Sequence, residues 1–130
     1  MDNMGFSGAR ILVVEDEYYL ADDLACAFER RGAEIAGPVA TAAAADKLIA
    51  AGGIDYAVID LNLRGSMAFT LGDRLREAGI PFLIASGYTR DSLPDRFREV
   101  PQIEKPFSVA QVLECMGVLV AAGKDGTGDA

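Results

Sequence analysis

Three uninterrupted apolar runs constrain the fold of this chain more than any other feature. They lie in the segments RILVV, IDYAVIDL and IPFLIAS. Their lengths are those of β-strands, and the lack of polar alternation is typical of strands buried on both faces. Between them, apolar residues recur at helical spacing, and Leu20, Leu24 and Phe28 form one such stripe. Strands that alternate with helices predict an α/β fold with helices on both faces of a parallel sheet.

Two weaker strands complete the predicted sheet. AEIAGPVA contains Pro38, and PQIEKP begins at Pro101. Proline removes a donor from the sheet ladder, so both strands belong at edges. The resulting order is 2-1-3-4-5, a flavodoxin-like doubly wound (βα)5 fold with a five-stranded parallel sheet. Pro94 allows only a short helix before the fifth strand.

Helix starts and chain ends set the predicted domain limits. Thr41 is placed to cap the second helix, and Ser108 with Gln111 forms an S-x-x-Q capping box for the last one. A chain of 130 residues suits one domain, which we expect over residues 9–122. We expect an N-terminal extension at 1–8 and a glycine-rich, disordered tail at 123–130.

Composition excludes several classes of function. A net charge of −8 opposes sequence-independent binding to nucleic acid and docking on anionic lipid. The chain has no histidine, and Cys26 and Cys115 lie far apart, which excludes common zinc sites and Ser-His or Cys-His nucleophiles. We expect both cysteines to be buried thiols. No signal peptide or membrane-spanning run is evident, so we expect a cytoplasmic protein.

Polar residues follow the predicted strands at their carboxyl ends. Glu15 and Asp16 follow the first strand, Asp60 ends the third, Ser86 ends the fourth and Lys105 follows the fifth. In this topology ligands bind between strands 1 and 3, where the three carboxylates converge. Mg²⁺ would offset their mutual repulsion. Asp60 could then attack phosphorus, with Ser86 and Lys105 as donors to the phosphoryl oxygens.

Each of these residues also has an ordinary structural interpretation when it is considered alone. Glu15 to Glu17 suit the acidic first turn of a helix, and we assign Glu17 to that role. Asp60 and Ser86 suit loops and turns, and Lys105 suits a solvated surface. Their convergence at the strand ends favours a phosphoryl site.

The motifs VVEDE, VIDLNLRG, IASGY and EKPF occur in this order across residues 9–122. Together they resemble the receiver domains of response regulators in two-component signalling. The resemblance implies that Asp60 is the phosphoacceptor. It also implies that Mg²⁺, with Mn²⁺ as an alternative, is bound by Asp16, by Asp60, by the backbone carbonyl of Asn62 and, through water, by Glu15.

The resemblance further assigns the groups around the phosphoryl group and the partners. Ser86 and Lys105 would stabilise it, and the bond between Lys105 and Pro106 would be cis. The donor would be a phosphohistidine on a sensor histidine kinase or a histidine phosphotransfer protein. We expect a stand-alone receiver, a monomer or phosphorylation-dependent dimer, that signals to an unidentified protein partner. It would be no enzyme beyond its own phosphorylation and slow dephosphorylation.

One departure from the family concerns the switch. Receivers usually carry Tyr or Phe three residues before the lysine, where this chain has Gln102. IASGY resembles a receiver subgroup with a Phe-Ala-Thr-Gly-(x)-Tyr motif, with Ile84 and Ser86 in place of Phe and Thr. Tyr88 and Gln102 are therefore the switch candidates, and the alternative for Tyr88 is simple packing on the next helix.

Other functions compete with this interpretation. An acidic loop after the first strand and the lack of a G-x-G-x-x-G or P-loop motif oppose a flavin or nucleotide binder. Asn62 in place of a second carboxylate opposes an aspartyl phosphohydrolase. The presence of Asp16, Asp60, Ser86 and Lys105 opposes a phosphate-independent pseudo-receiver. A phosphate sink, which drains a kinase without an output partner, stays open beside the signalling receiver.

Overall fold

A computed structural model of the protein describes residues 5–87 and 89–127. Its elements in chain order are β1 (Arg10–Val14), α1 (Tyr18–Arg30), β2 (Glu34–Val39), α2 (Ala42–Ala51), β3 (Tyr56–Ile59), β4 (Asn62–Leu63), β5 (Ser66–Met67), α3 (Phe69–Glu77), β6 (Phe82–Ser86), β7 (Gln102–Glu104) and α4 (Val109–Thr127). Two 3₁₀ turns, Arg90–Ser92 and Asp95–Phe97, lie between β6 and β7.

The main sheet has five parallel strands in the order β2-β1-β3-β6-β7. Counted within this sheet, the order is the predicted 2-1-3-4-5. β2, which contains Pro38, and β7, which follows Pro101, are the edge strands, as predicted. An edge strand can lose one ladder donor without leaving a neighbour unpaired. Pro81 directly precedes the central strand β6, so a proline just before a strand does not by itself mark an edge.

The predicted (βα)5 count is wrong in two details. The described residues contain four α-helices, and two 3₁₀ turns stand where the predicted short helix before the last strand was expected. Pro94 precedes the second turn, and the buried Phe97 packs that turn onto α3. The structure also adds two short strands after Asp60, β4 and β5, which form an antiparallel hairpin. Arg64 and Gly65 connect them with φ values of 55° and 83°, as a tight hairpin turn requires.

Alternate residues of the central strands enter two separate cores. In β1, Ile11 and Val13 pack against α1 and α4, whereas Leu12 and Val14 face the core below α2 and α3. Helices on both faces thus bury Ile11, Leu12, Val13 and Val14, which explains the continuous apolar sequence of this strand. The carboxyl edge of the sheet lies between these two helical layers.

The helix caps are the predicted ones, whereas the last helix extends beyond its predicted end. Thr41 Oγ1 accepts the Ala44 N–H at 3.1 Å. Ser108 and Gln111 form the reciprocal capping box, with N···O distances of 3.1 and 2.7 Å. The helix that this box starts, α4, continues to Thr127 and crosses the predicted boundary at residue 122. Residues 128–130 of the predicted tail lie outside the described residues.

Other expectations about the periphery also change. Phe6 is buried and packs edge-on against Phe28, with ring centroids 5.4 Å apart, so part of the predicted extension belongs to the core. Cys26 is exposed and Cys115 only half-buried, so the prediction of two buried thiols is wrong. Cys26 lies outside the buried stripe of α1, whereas Cys115 of α4 packs partly buried against the core. No helix in the described segments has the length and apolar character needed to cross a membrane.

Candidate functional site

Three carboxylates meet at the carboxyl edge of β1 and β3. Val14 pairs with Ile59 at the end of these neighbouring strands, so the residues that follow them leave the sheet side by side. Carboxylate oxygens of Glu15, Asp16 and Asp60 all lie within 4.8 Å of one another. Glu15 and Asp60 are buried, and Asp16 is half-buried. The structure thus brings together the acidic residues that the sequence placed at two strand ends.

Lys105 brings a positive charge into this cluster from the end of β7. Its Nζ donates to Asp60 Oδ2 at 2.9 Å, Glu17 Oε2 at 3.0 Å and Glu15 Oε2 at 3.2 Å. The backbone N–H of Lys105 also donates to the Ser86 carbonyl at 2.8 Å, which fixes the loop beside β6. The peptide bond to Pro106 is cis, the conformation that the family resemblance implies.

Burial and charge set the protonation of the two central groups. Burial raises the pKa of Glu15 to about 7; the Asp60 charge acts in the same direction, against the Glu17 N–H and Lys105. For Lys105, burial lowers the pKa, but hydrogen bonds to Asp60 and Glu17 outweigh it and the net pKa lies above the usual value. Lys105 is therefore an ammonium at neutral pH, whereas Glu15 gains or loses a proton near pH 7.

Backbone amides of the hairpin orient the remaining carboxylate oxygens. The Asn62 N–H donates to Asp60 Oδ1 at 2.8 Å, and the Arg64 N–H donates to Asp16 Oδ2 at 2.6 Å. Each oxygen of Asp60 thus has one donor, from Asn62 or from Lys105. Asn62 Oδ1 is a buried atom without a hydrogen-bond partner among the described residues. The assignment of the Asn62 carbonyl to a metal stays a prediction.

Ser86 lies at the same edge of the sheet. It is the last residue of β6 and is fully buried. Two residues earlier in β6, Ile84 pairs with Ile59, the residue that precedes Asp60. Its position between β3 and the Lys105 loop is the one the sequence predicted. Of the two switch candidates, Gln102 lies on β7, where it pairs with Ile84 of β6. Tyr88 lies outside the described residues.

The donor set of the acidic cluster fits a hard divalent cation. Glu15, Asp16 and Asp60 offer carboxylate oxygens, and the chain contains no histidine. Hard cations such as Mg²⁺ and Ca²⁺ prefer such oxygen ligands, whereas soft metals prefer sulfur or imidazole. The cluster could therefore hold a metal ion of the first kind.

Glu17 does not have the role that the sequence predicts. The sequence predicts an acidic first turn of a helix, but α1 begins at Tyr18 and has no acidic residue in its first turn. Glu17 occupies the N-cap position without a side-chain capping bond, and its carboxylate contacts Lys105 instead. Three consecutive carboxylates opposite a single lysine were the available signal.

A scan against protein-family models finds no match, and a search of curated proteins finds none. Solved structures do match. SdrG from Sphingomonas melonis Fr1 is 35% identical, covering 86% of this chain and 96% of its own, with a TM-score of 0.68. The non-phosphorylated HemR receiver domain from Leptospira biflexa is 25% identical over 86% and 94% of the chains, with a TM-score of 0.74. The response regulator TrrA from Thermotoga maritima, in complex with Mg²⁺-BeF, shares the fold at 21% identity over 85% and 98%, with a TM-score of 0.73.

Proposed function

The chain belongs to the receiver-domain family of response regulators, and from this premise we propose that it accepts a phosphoryl group on Asp60 in a Mg²⁺-dependent reaction. The observation that carries the proposal is the surroundings of Asp60. Its buried carboxylate contacts the Lys105 ammonium at 2.9 Å and lies within the Glu15–Asp16 cluster. A carboxylate nucleophile beside both a cation site and a fixed ammonium suits phosphoryl transfer better than a structural role.

The proposed reaction transfers the group from a phosphohistidine. An Asp60 carboxylate oxygen attacks phosphorus and forms the acyl phosphate. The bond between phosphorus and the imidazole nitrogen breaks, and its electron pair stays on that nitrogen. Lys105 donates hydrogen bonds to the phosphoryl oxygens, and it stays protonated because its contacts raise its pKa. The Ser86 hydroxyl supplies a further donor.

A divalent cation would be held by Glu15, Asp16 and Asp60, and when bound it neutralises charge on the phosphoryl oxygens. Glu15 must be deprotonated to serve as a ligand. Since its pKa is about 7, this requirement is met only partly at neutral pH without the cation. The residues themselves orient the site: the Asn62 N–H fixes one Asp60 oxygen, and the Arg64 N–H fixes Asp16.

We infer the partners and the output of the protein from its membership of the receiver-domain family. The donor is a sensor histidine kinase or a histidine phosphotransfer protein in the cytoplasm, and the output is protein–protein contact rather than catalysis. The switch is assigned to the segment between β6 and β7, at Tyr88, following the Phe-Ala-Thr-Gly-(x)-Tyr subgroup. Two observations support this assignment. Ser86 and Lys105 lie at the two ends of that segment, and its described residues form 3₁₀ turns rather than a regular helix.

Intact-mass spectrometry after incubation with acetyl phosphate and Mg²⁺ tests the phosphoacceptor. Wild type is compared with Asp60→Asn and with the matched control Asp55→Asn. Asp55 directly precedes the first residue of β3, at the end of the strand that lies away from the site. We expect one phosphoryl adduct in wild type and Asp55→Asn, none in Asp60→Asn, and none with EDTA. An equal adduct in Asp60→Asn would refute the assignment, as would no adduct in folded wild type with acetyl phosphate and with a panel of phosphorylated kinases.

A further inference from the structure

The ammonium of Lys105 has no donor left for a new anion. It carries three N–H protons, and three carboxylates accept from it at 2.9 to 3.2 Å. A phosphoryl group on Asp60 adds oxygen atoms that also require donors. Lys105 must therefore give up at least one existing contact when the phosphoryl group arrives.

The three contacts differ in how easily they can be released. The Asp60 contact passes to one oxygen of the phosphoryl group that Asp60 itself carries, so a second phosphoryl oxygen needs an N–H from Glu15 or Glu17. The side chain of Glu15 is only 2% exposed, so its carboxylate cannot turn into solvent without rearranging the core edge. Glu17 is different, because its side chain is 61% exposed. Its carboxylate can leave Lys105 and become hydrated at little cost, since most of its surface already contacts water.

Glu17 also differs from the other acids in its position. It is absent from the Glu15–Asp16–Asp60 cluster that could hold a metal. Its backbone N–H donates to Glu15 Oε2 at 3.0 Å, and this bond does not depend on the side chain. A substitution of Glu17 can therefore remove the contact to Lys105 and leave the orientation of Glu15 intact.

We propose that Glu17 is a positioning residue that holds Lys105 in the unphosphorylated protein and is the contact that Lys105 exchanges for the phosphoryl group. This inference rests on the proposed phosphorylation of Asp60. In it, Glu17 competes with the phosphoryl oxygens for one N–H of the ammonium. The competition lowers the affinity of the site for a phosphoryl group and sets the resting position of the lysine.

Three variants separate contact from charge. Glu17→Gln removes the charge and the ion pair. Glu17→Asp keeps the charge, but its side chain is one methylene shorter, which we expect to break the 3.0 Å contact to Lys105. Asp22→Asn is the matched control, because it removes an exposed charge on α1 beside Glu15 and Asp16 but outside the contacts of Lys105.

The first readout is free of metal and phosphodonor. Trace amine acetylation followed by mass spectrometry reports the reactivity of Lys105, with the exposed Lys47 as internal reference. We expect Lys105 to react about two- to fivefold faster in Glu17→Gln and Glu17→Asp, the range that loss of an exposed ion pair supports. Asp22→Asn should match wild type. Unchanged reactivity in both Glu17 variants would overturn the holding role.

The second readout is the affinity for beryllofluoride with Mg²⁺, a non-covalent phosphoryl mimic, measured by calorimetry. Both Glu17 variants should bind it about two- to fivefold more tightly than wild type and Asp22→Asn. Wild-type affinity in Glu17→Asp with tighter binding in Glu17→Gln would show that charge alone acts, and would overturn the proposed exchange. Failure of wild type to bind beryllofluoride or form an adduct would instead reject the phosphorylation on which the inference rests.

Discussion

Glu15 should make the metal-free protein less stable as the pH rises towards neutrality. Its pKa is 4.5 in an ordinary environment and about 7 in the folded protein, mainly because of burial. Between these values the native state binds a proton that the unfolded state has released. The free energy of unfolding therefore falls with increasing pH across this window, and the loss is complete above the folded pKa.

The magnitude follows from the size of the shift. At about 1.4 kcal/mol per pKa unit, the change from 4.5 to about 7 corresponds to about 3.5 kcal/mol, which partial screening by solvent reduces to about 3 kcal/mol. Lys105 does not contribute to this slope: its pKa is raised, so the stability that it adds is fully present below its unfolded pKa of about 10.4. Glu15→Gln removes the titrating group and should flatten the dependence between pH 4.5 and 7 by this amount.

Urea unfolding followed by circular dichroism in EDTA, at several pH values from 4.5 to 8, measures the effect. Glu99→Gln, a change at an exposed glutamate, is the matched control and should keep the wild-type slope. Parallel pH profiles of wild type and Glu15→Gln would contradict the reasoning. A wild-type stability that rises relative to Glu15→Gln across the window would reverse its sign and refute it as well.

Three further predictions concern the metal and the packing of α3. Calorimetric Mg²⁺ affinity should fall as the pH decreases from 8 to 6, because binding must displace the Glu15 proton, and a flat profile would contradict this. Gly72→Ala should lose about 1 kcal/mol in urea unfolding, since its Cβ would stand 2.8 Å from the Phe97 ring and overpacking exceeds the gain in helix propensity. The control Gly117→Ala, with open space around the added Cβ, should gain up to about 1 kcal/mol, and equal effects would refute the steric argument. Asp73→Asn, which breaks the ion pair to Arg96 at 2.6 Å, should lower the free energy of unfolding more in low salt than in high salt, and a salt-independent loss would contradict an ionic origin.

The arrangement of the sheet was accessible from local patterns. Continuous apolar runs indicate strands covered on both faces, and Pro38 and Pro101 indicate the edges, because each signal depends on a residue and its immediate backbone. The capping box of Ser108 and Gln111 is equally local. These features also fix which strand ends are neighbours, so the meeting of Asp60 with the acids after β1 could be predicted.

The segment between β6 and β7 shows the opposite case. The sequence indicated a short helix there, but the chain forms 3₁₀ turns fixed by a distant contact. Phe97 packs against the surface that Gly72 leaves open on α3, and Arg96 pairs with Asp73 on the same helix. Such contacts join residues more than twenty positions apart, and local propensity contains no information about them.

Local sequence patterns are enough to predict the strand order and the convergence of carboxylates with a lysine, because strand period, edge prolines and strand ends are local features. The partner of each charge depends on tertiary packing. The Glu17 carboxylate could stabilise the start of a helix or form an ion pair with an ammonium group. Which role it has depends on whether α1 begins at Glu17 or one residue later, at Tyr18. Burial of Glu15 and the position of the Lys105 ammonium depend on the packed sheet edge. Hydration and Coulomb energies vary with that environment, so the protonation of the site was decided only by the folded chain.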